Sequence, residues 1–259
     1  MAHPRTGLTP EQAEEYETRG VTRLPAAIPA RDVEAMAAVV WRRLRARCGA
    51  LPDRPDTWTV ERPAQLTSHV DEFAAMASPT VQAVLDDLLG AGGWKTPTRW
   101  GIPLVAFPGF AKAWDVPRQH WHLDVQATPR PPRLARLFAV LSPSRRGAGG
   151  TSYVAGSHRV IRELARREGR SLRSAEARKL LMATEPWFAA LATHREGEDR
   201  VARFMDEPGV AAGVPVQVGE MLGEPGDVIL MDPLMLHSLA PNVRETPRMM
   251  LTEWIYAKP

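Results

Sequence analysis

His122-x-Asp124, a later His237, and Arg248 eleven residues beyond it are the residues of this chain whose types and spacing could do chemistry. Strand side chains alternate with a period of two, so His122 and Asp124 would share one face of a strand. His237 would complete a set of two imidazoles and one carboxylate. Such a set covers one face of a divalent ion and leaves the opposite positions open, the arrangement that non-haem Fe(II) oxygen chemistry uses. The open positions would take a bidentate keto acid and O2. Arg248 carries a planar fork of donors suited to two-point capture of a carboxylate, the anchor that 2-oxoglutarate would need. Each residue also has a plainer reading. His122-x-Asp124 could be a strand histidine beside a surface aspartate, since seven histidines and thirty acids produce such a pair by chance. Arg248 could be a salt-bridge partner.

The elements that would position these residues lie mostly after Gly92-Gly93, where short β-like runs alternate with Gly and Pro. Strands are expected near Trp100–Phe107, Gln119–Val125, Leu134–Leu141, Thr151–Ala155, Val214–Leu222, Asp227–Met231, Met235–Ala240 and Met249–Ala257. Many short strands with turn signals indicate a sandwich or barrel. His237 ends one apolar run, Ala240-Pro241-Asn242 turns the chain, and Arg248 opens the last strand. If those strands pair, His237 and Arg248 stand on one wall. The first ninety residues have a helical texture. Thr9-Pro10 is a helix start, 30–47 is amphipathic at three- and four-residue spacing, and a further helix spans 79–89 before Gly90. The stretch 159–206 is expected to be a helical insert, which on a rigid scaffold usually serves as a lid or binding element.

With 44% hydrophobic and 24% charged residues over 259 positions, the chain has globular composition. No apolar run approaches a bilayer span, and the opening MAHPRTGLTPEQ lacks the apolar core of a secretory signal. A single cysteine, Cys48, excludes an intramolecular disulfide, fits a cytoplasmic location and is expected to be inert. The net charge of +3 is carried almost wholly by arginine, without a long basic tract. Nucleic acid and membrane are therefore not expected partners; the oligomeric state cannot be read. Residues 159–179 hold eight basic side chains against three acids. They form either the solvated face of an insert helix or a lid recognising an anion, such as a CoA thioester, a carrier-protein arm or a carboxylated small molecule. His3, His69 and His194 have no sequence partners and are expected at the surface. Trp114 and Trp121 are expected in the core or against substrate.

The sequence resembles the phytanoyl-CoA dioxygenase family of Fe(II)- and 2-oxoglutarate-dependent oxygenases over nearly its whole length. The opening LTPEQAEEYETRGVTRLPAAIPARDVEAM, then His122-Leu123-Asp124, Gly149-Gly150-Thr151 with Val154-Ala155-Gly156-Ser157-His158-Arg159, and Gly226-Asp227 through His237 to Arg248 carry it in order. Alanine stands at 155 where the family usually has proline. The resemblance implies a mainly β fold with flanking helices, a double-stranded β-helix or cupin-like jelly roll. One dioxygenase domain would cover 1–259, with 1–92 as helical support and 93–259 as the core. It implies His122, Asp124 and His237 as iron ligands, with Arg248 on the distal carboxylate of 2-oxoglutarate and Thr151 adding a hydroxyl bond. His120, where glutamine would be expected, would be a further co-substrate contact or a buried histidine; the Gly-Ser-His turn at 158 would be structural. The implied reaction oxidises a C–H bond of a small organic molecule and releases succinate and CO2. An intact Asp124 favours hydroxylation, desaturation or ring formation over halogenation. The alternatives are a metal-dependent jelly-roll enzyme that does not use 2-oxoglutarate, such as a redox-neutral isomerase, and a non-catalytic binding module.

Overall fold

A computed structural model describes residues 7–64, 66, 70–130, 133–193 and 195–259; His3, His69 and His194 lie outside them. Helix α1 (Pro10–Arg19) starts at a capping box, in which the Thr9 hydroxyl accepts from Gln12 N and the Gln12 amide returns the bond to Thr9 N. Gly20, at φ 78°, ends α1 and leads directly into strand β1 (Val21–Leu24). Helix α2 (Ala30–Cys48) and helix α3 (Pro79–Leu89) follow, with the expected boundaries. Strand β1 interrupts the helical texture of this region.

The remaining strands are β2 (Ile102–Ala106), β3 (Leu134–Val140), β4 (Thr151–Ala155), β5 (Gly209–Ala211), β6 (Val214–Glu220), β7 (Val228–Met231), β8 (His237–Leu239) and β9 (Arg248–Tyr256). They form two antiparallel sheets, ordered β1-β7-β3-β9-β2 and β5-β6-β4-β8. Helices α4 (Ser157–Glu168), α5 (Ser174–Thr184) and α6 (Pro186–Leu191) and a π-helical turn, Ala202–Asp206, make up the insert.

Alternation along the strands sorts the side chains into layers. Leu137 and Ala139 of β3 and Leu251 and Ile255 of β9 pack outward, against α2 and α3. Val154 of β4 and Val216 and Val218 of β6 face the insert, with Ile161, Leu181 and Phe188. Between the sheets lie Phe138, Val140, Met231, Met235 and Met250, with Tyr153 packed against them. The architecture is therefore a jelly roll covered by helices on both outer faces. Among the described residues no helix is long and apolar enough to cross a membrane.

One expected strand is absent. Residues 119–125 make a single antiparallel bridge, His122 with His237, and no ladder. His120 explains the break: its φ of 63° is left-handed, which interrupts strand alternation. His122 and Asp124 therefore lie in an irregular segment and not, as expected, on one face of a strand.

Candidate active site

The His122–His237 bridge is a reciprocal pair of main-chain bonds, His122 N to His237 O at 2.9 Å and His237 N to His122 O at 3.1 Å. It brings the two rings to a centroid separation of 4.2 Å. Each ring then uses Nδ1 on a carbonyl two residues earlier, His122 on His120 O at 2.7 Å and His237 on Met235 O at 3.0 Å. A carbonyl only accepts, so each Nδ1 carries the hydrogen and each Nε2 keeps its lone pair. Those lone pairs converge on Asp124. His237 Nε2 lies 3.1 Å from Asp124 Oδ2, and His122 Nε2 lies 3.7 Å from Oδ1. Among the described residues this is the group of three ligand side chains that could hold a metal ion, its donor atoms all within 4.8 Å of one another. The donor set fits Fe(II): two neutral imidazoles with carbonyl-fixed tautomers and one carboxylate. Burial, then the Arg136 charge, pushes His237 down to about 4. Burial and the neighbouring His237 also lower His122. Neutral imidazole is the ligating form.

The irregular segment that carries His122 and Asp124 is held from outside. Leu123 N donates to Ser174 Oγ of α5 at 2.8 Å, Ser238 Oγ donates to Gln119 O at 2.9 Å, and Trp121 Nε1 donates to Pro117 O at 2.9 Å. Trp121 is a fully buried core residue and Trp114 is half-buried beside it. Arg200 follows α6 and is 2% exposed; its Nη2 donates to Leu191 O at 2.8 Å and approaches Val116 O and Pro117 O. Four of the eight basic residues at 159–179 pair with acids: Arg162 with Asp232, Arg166 and Arg167 with Glu163, and Arg170 with Glu168 and Glu176.

Arg248 is fully buried at the start of β9. Its Nε and Nη2 donate to Gly149 O at 2.9 and 2.6 Å, and Nη1 to Leu104 O at 3.3 Å. Both acceptors are neutral carbonyls. Burial, reinforced by the Arg62 charge, pushes the Arg248 guanidinium down to about 9, still a cation at neutral pH. Arg248 and Arg62 both line a cavity of about 310 Å³ in the seam between β2 and β8, with Leu104 and Leu239 among its walls. Arg62 closes the seam by donating to Ala240 O. Thr151 pairs in register with Leu239 and is buried. Glu220 accepts from Gly147 N and Gly150 N at 2.9 and 3.1 Å and so fixes the loop whose Gly149 carbonyl Arg248 grips. Gly149 is left-handed at φ 79°, and a Cβ there would lie 2.9 Å from that of Asn242.

The structure thus brings His122, Asp124 and His237 together and sets Arg248 in the cavity between β2 and β8, whose lining does not include them. His120 is exposed, away from the Arg248 cavity, in a surface hollow with Arg118, Trp121 and Arg178. His158 lies outside the group; its Nε2 donates to Glu17 O at 3.1 Å. Sequence reasoning missed Arg62, Glu220 and Arg136. The last stands on β3 with Nη1 in contact with Asp124 Oδ2 and 3.4 Å from His237 Nε2. Isolated arginines and glutamates carry no periodic or motif signal, so only the folded arrangement reveals them.

No curated protein matches the chain. Solved structures match its fold over most of its length. EctD from S. alaskensis, solved with 2-oxoglutarate and 5-hydroxyectoine, is 18% identical at a TM-score of 0.56, over 97% of this chain and 77% of that one. HygX from Streptomyces hygroscopicus, solved with nickel and 2-oxoglutarate, is 16% identical at 0.52, over 97% and 88%. SnoN, a non-haem α-ketoglutarate-dependent epimerase from nogalamycin biosynthesis, is 17% identical at 0.55, over 95% and 81%. The model of the phytanoyl-CoA dioxygenase family matches residues 16–250. Strand order, metal-ligand group and this match agree, and the chain belongs to the phytanoyl-CoA dioxygenase family of Fe(II)- and 2-oxoglutarate-dependent oxygenases.

Proposed function

We propose that the chain acts as one dioxygenase domain in which His122, Asp124 and His237 bind Fe(II) and Arg248 binds the distal carboxylate of 2-oxoglutarate. The observation that carries this reading is the convergence of two Nε2 lone pairs on one carboxylate, each ring turned by its own carbonyl bond. Bound there, Fe(II) with 2-oxoglutarate and O2 supplies an oxidant for a C–H bond, with release of succinate and CO2. The protein's part is positional. Arg248 and Arg62 would share the distal carboxylate in the cavity they line, Thr151 would add its hydroxyl, and Leu104 and Leu239 would exclude water around the carbon chain. Exposed His120 has the weakest support as a co-substrate contact.

The substrate is a small organic molecule, anionic or carried on CoA or a carrier protein. The single cysteine supports a cytoplasmic location. Among the structural neighbours SnoN is an epimerase, so product stereochemistry has to be measured as well as hydroxylation.

Anaerobic titration of Fe(II) and 2-oxoglutarate into the metal-free protein should give the weak visible charge-transfer band of the chelate, and air should then yield succinate. Exchanging Asp124 for Ala should abolish both. A wild-type protein that shows neither band nor succinate would overturn the reading in favour of a metal enzyme of other chemistry.

A further inference from the structure

Arg136 draws its carboxylate partner from the metal-ligand group at the centre of the barrel. It lies on the inner face of β3, 8% exposed. Its guanidinium carbon stands 4.7 Å from the centroid of Phe138 and 4.3 Å from that of Trp254, and Nε is 3.4 Å from Thr252 Oγ1. Among the described residues Asp124 is the only carboxylate within ion-pair reach of it. Its other polar neighbours, His237 Nε2 and Thr252 Oγ1, are neutral.

The atoms Arg136 touches, Asp124 Oδ2 and His237 Nε2, are the atoms a metal ion would take. Guanidinium and metal therefore compete for the same two donors. A bound metal claims the Asp124 charge, while Phe138 and Trp254 keep the guanidinium inside. A buried cation beside a dication, without an anion of its own, is costly. Position along β9 says at which end of the barrel a compensating anion would bind. Arg248, Met250, Thr252 and Trp254 share its inner face by alternation, and Arg136 pairs in register with Trp254. Arg248 thus stands at one end of that face, but its Nη1 reaches Leu104 O, in register with Met250, while the Arg136 head lies by Thr252, so the two guanidinium heads are about 7 Å of strand apart. An acid group at the Arg136 end is one lying beside the metal.

We propose that Arg136 is a second carboxylate anchor, which receives a carboxylate adjacent to the metal and so makes this site selective for organic acids. The proposal rests on the reading of His122, Asp124 and His237 as the metal site. Two sources share this chemistry: the keto-acid end of 2-oxoglutarate, and a carboxylate of the substrate itself.

The test uses the full chain with Ni(II) as a redox-silent metal, comparing wild type, Arg136→Met and Arg136→Lys by calorimetry and thermal denaturation. Loss of the competing guanidinium should tighten Ni(II) binding in Arg136→Met about tenfold. If the anchored group is the keto-acid end, the same variant should bind 2-oxoglutarate at least about tenfold more weakly to the Ni(II) protein. If it belongs to substrate, 2-oxoglutarate affinity should hold, and benzoate should stabilise the Ni(II)–2-oxoglutarate form of wild type but not of Arg136→Met, with benzamide inert on both. Arg136→Lys keeps the charge without the fork and should show a smaller loss in the affected titration, which decides the matter if the methionine variant does not fold. Variants indistinguishable from wild type toward both 2-oxoglutarate and benzoate would overturn the anchor while leaving the metal site standing. A wild-type protein that binds no Ni(II) would instead overturn the metal site.

Discussion

Arg62 and Arg248 are two guanidinium groups aimed at one small cavity, and like charges gathered in low dielectric lower each other's stability unless an anion joins them. Arg248→Met should therefore weaken 2-oxoglutarate binding by about 10- to 100-fold, the worth of charge-assisted hydrogen bonds at a buried carboxylate. Arg62→Met should cost less, since that side chain is partly exposed. Calorimetry on the Ni(II) protein measures both, and unchanged affinity in Arg248→Met would remove the 2-oxoglutarate assignment from this cavity. The triad and Arg248 were legible in the sequence because they carry a spacing: a two-residue step, a distant histidine, and an arginine at eleven. Arg136 and Glu220 carry none. Each becomes significant only when β3 and β6 turn it toward a partner far away in sequence, Asp124 for the first and the Gly147–Gly150 loop for the second.

At the level of elements, the loop between β3 and β4 and the insert each do something their own sequence does not announce. The Gly149 carbonyl accepts two bonds from Arg248, and its left-handed backbone lets it pass against Asn242 and Ala106. Gly149→Ala adds a Cβ at a left-handed position and into that contact, at a cost of about 1–3 kcal/mol. The melting temperature should fall by several degrees and 2-oxoglutarate binding should weaken with it; a fall in stability alone would separate the loop from the co-substrate. Arg200 ties the insert to the segment before the metal residues through carbonyls of Leu191, Val116 and Pro117. Arg200→Met should leave those carbonyls short of donors, costing about 1–3 kcal/mol. Limited proteolysis should then cut within 108–118 or the insert sooner than in wild type. Helices α2 and α3 were readable to within a residue because their apolar period is strong. The strand expected at 119–125 was not there, because a left-handed His120 and bonds to the insert replace the ladder, and neither shows as a pattern in sequence.

For the whole molecule, buried neutral histidine sets the acid limit. His158 is fully buried, Nε2 donating to Glu17 O, while Nδ1 has no hydrogen-bond partner. Burial lowers its pKa, against the opposing pull of Asp232 and alongside Arg162 and Arg159. The unfolded chain titrates near the ordinary value of about 6.5, so just below that pH it binds more protons than the folded chain. Stability should therefore fall as pH drops through about 6.5 toward 5.5, before carboxylates contribute. Denaturant titrations of metal-free protein at pH 7.5, 6.5 and 5.5 check this; His158→Gln should make the dependence shallower, leaving the share of His122 and His237, and an equal slope in the variant would exclude His158 as a source. Ni(II) in large excess over its Kd should raise the melting temperature, because it binds only the folded triad.

The reciprocal bonds between His122 and His237 have a further consequence. Two ligands that come from distant parts of the chain are riveted at the backbone, so the spacing of their donor atoms does not depend on the peptide on either side. Segments 108–118 and 159–206 can then vary wherever Pro117 O and Ser174 Oγ, which hold Trp121 and Leu123, are kept. A lineage, or an engineer, grafting new substrate-facing loops onto this barrel would inherit the spacing of the two histidines, with Asp124 left to the contact between Leu123 and the insert.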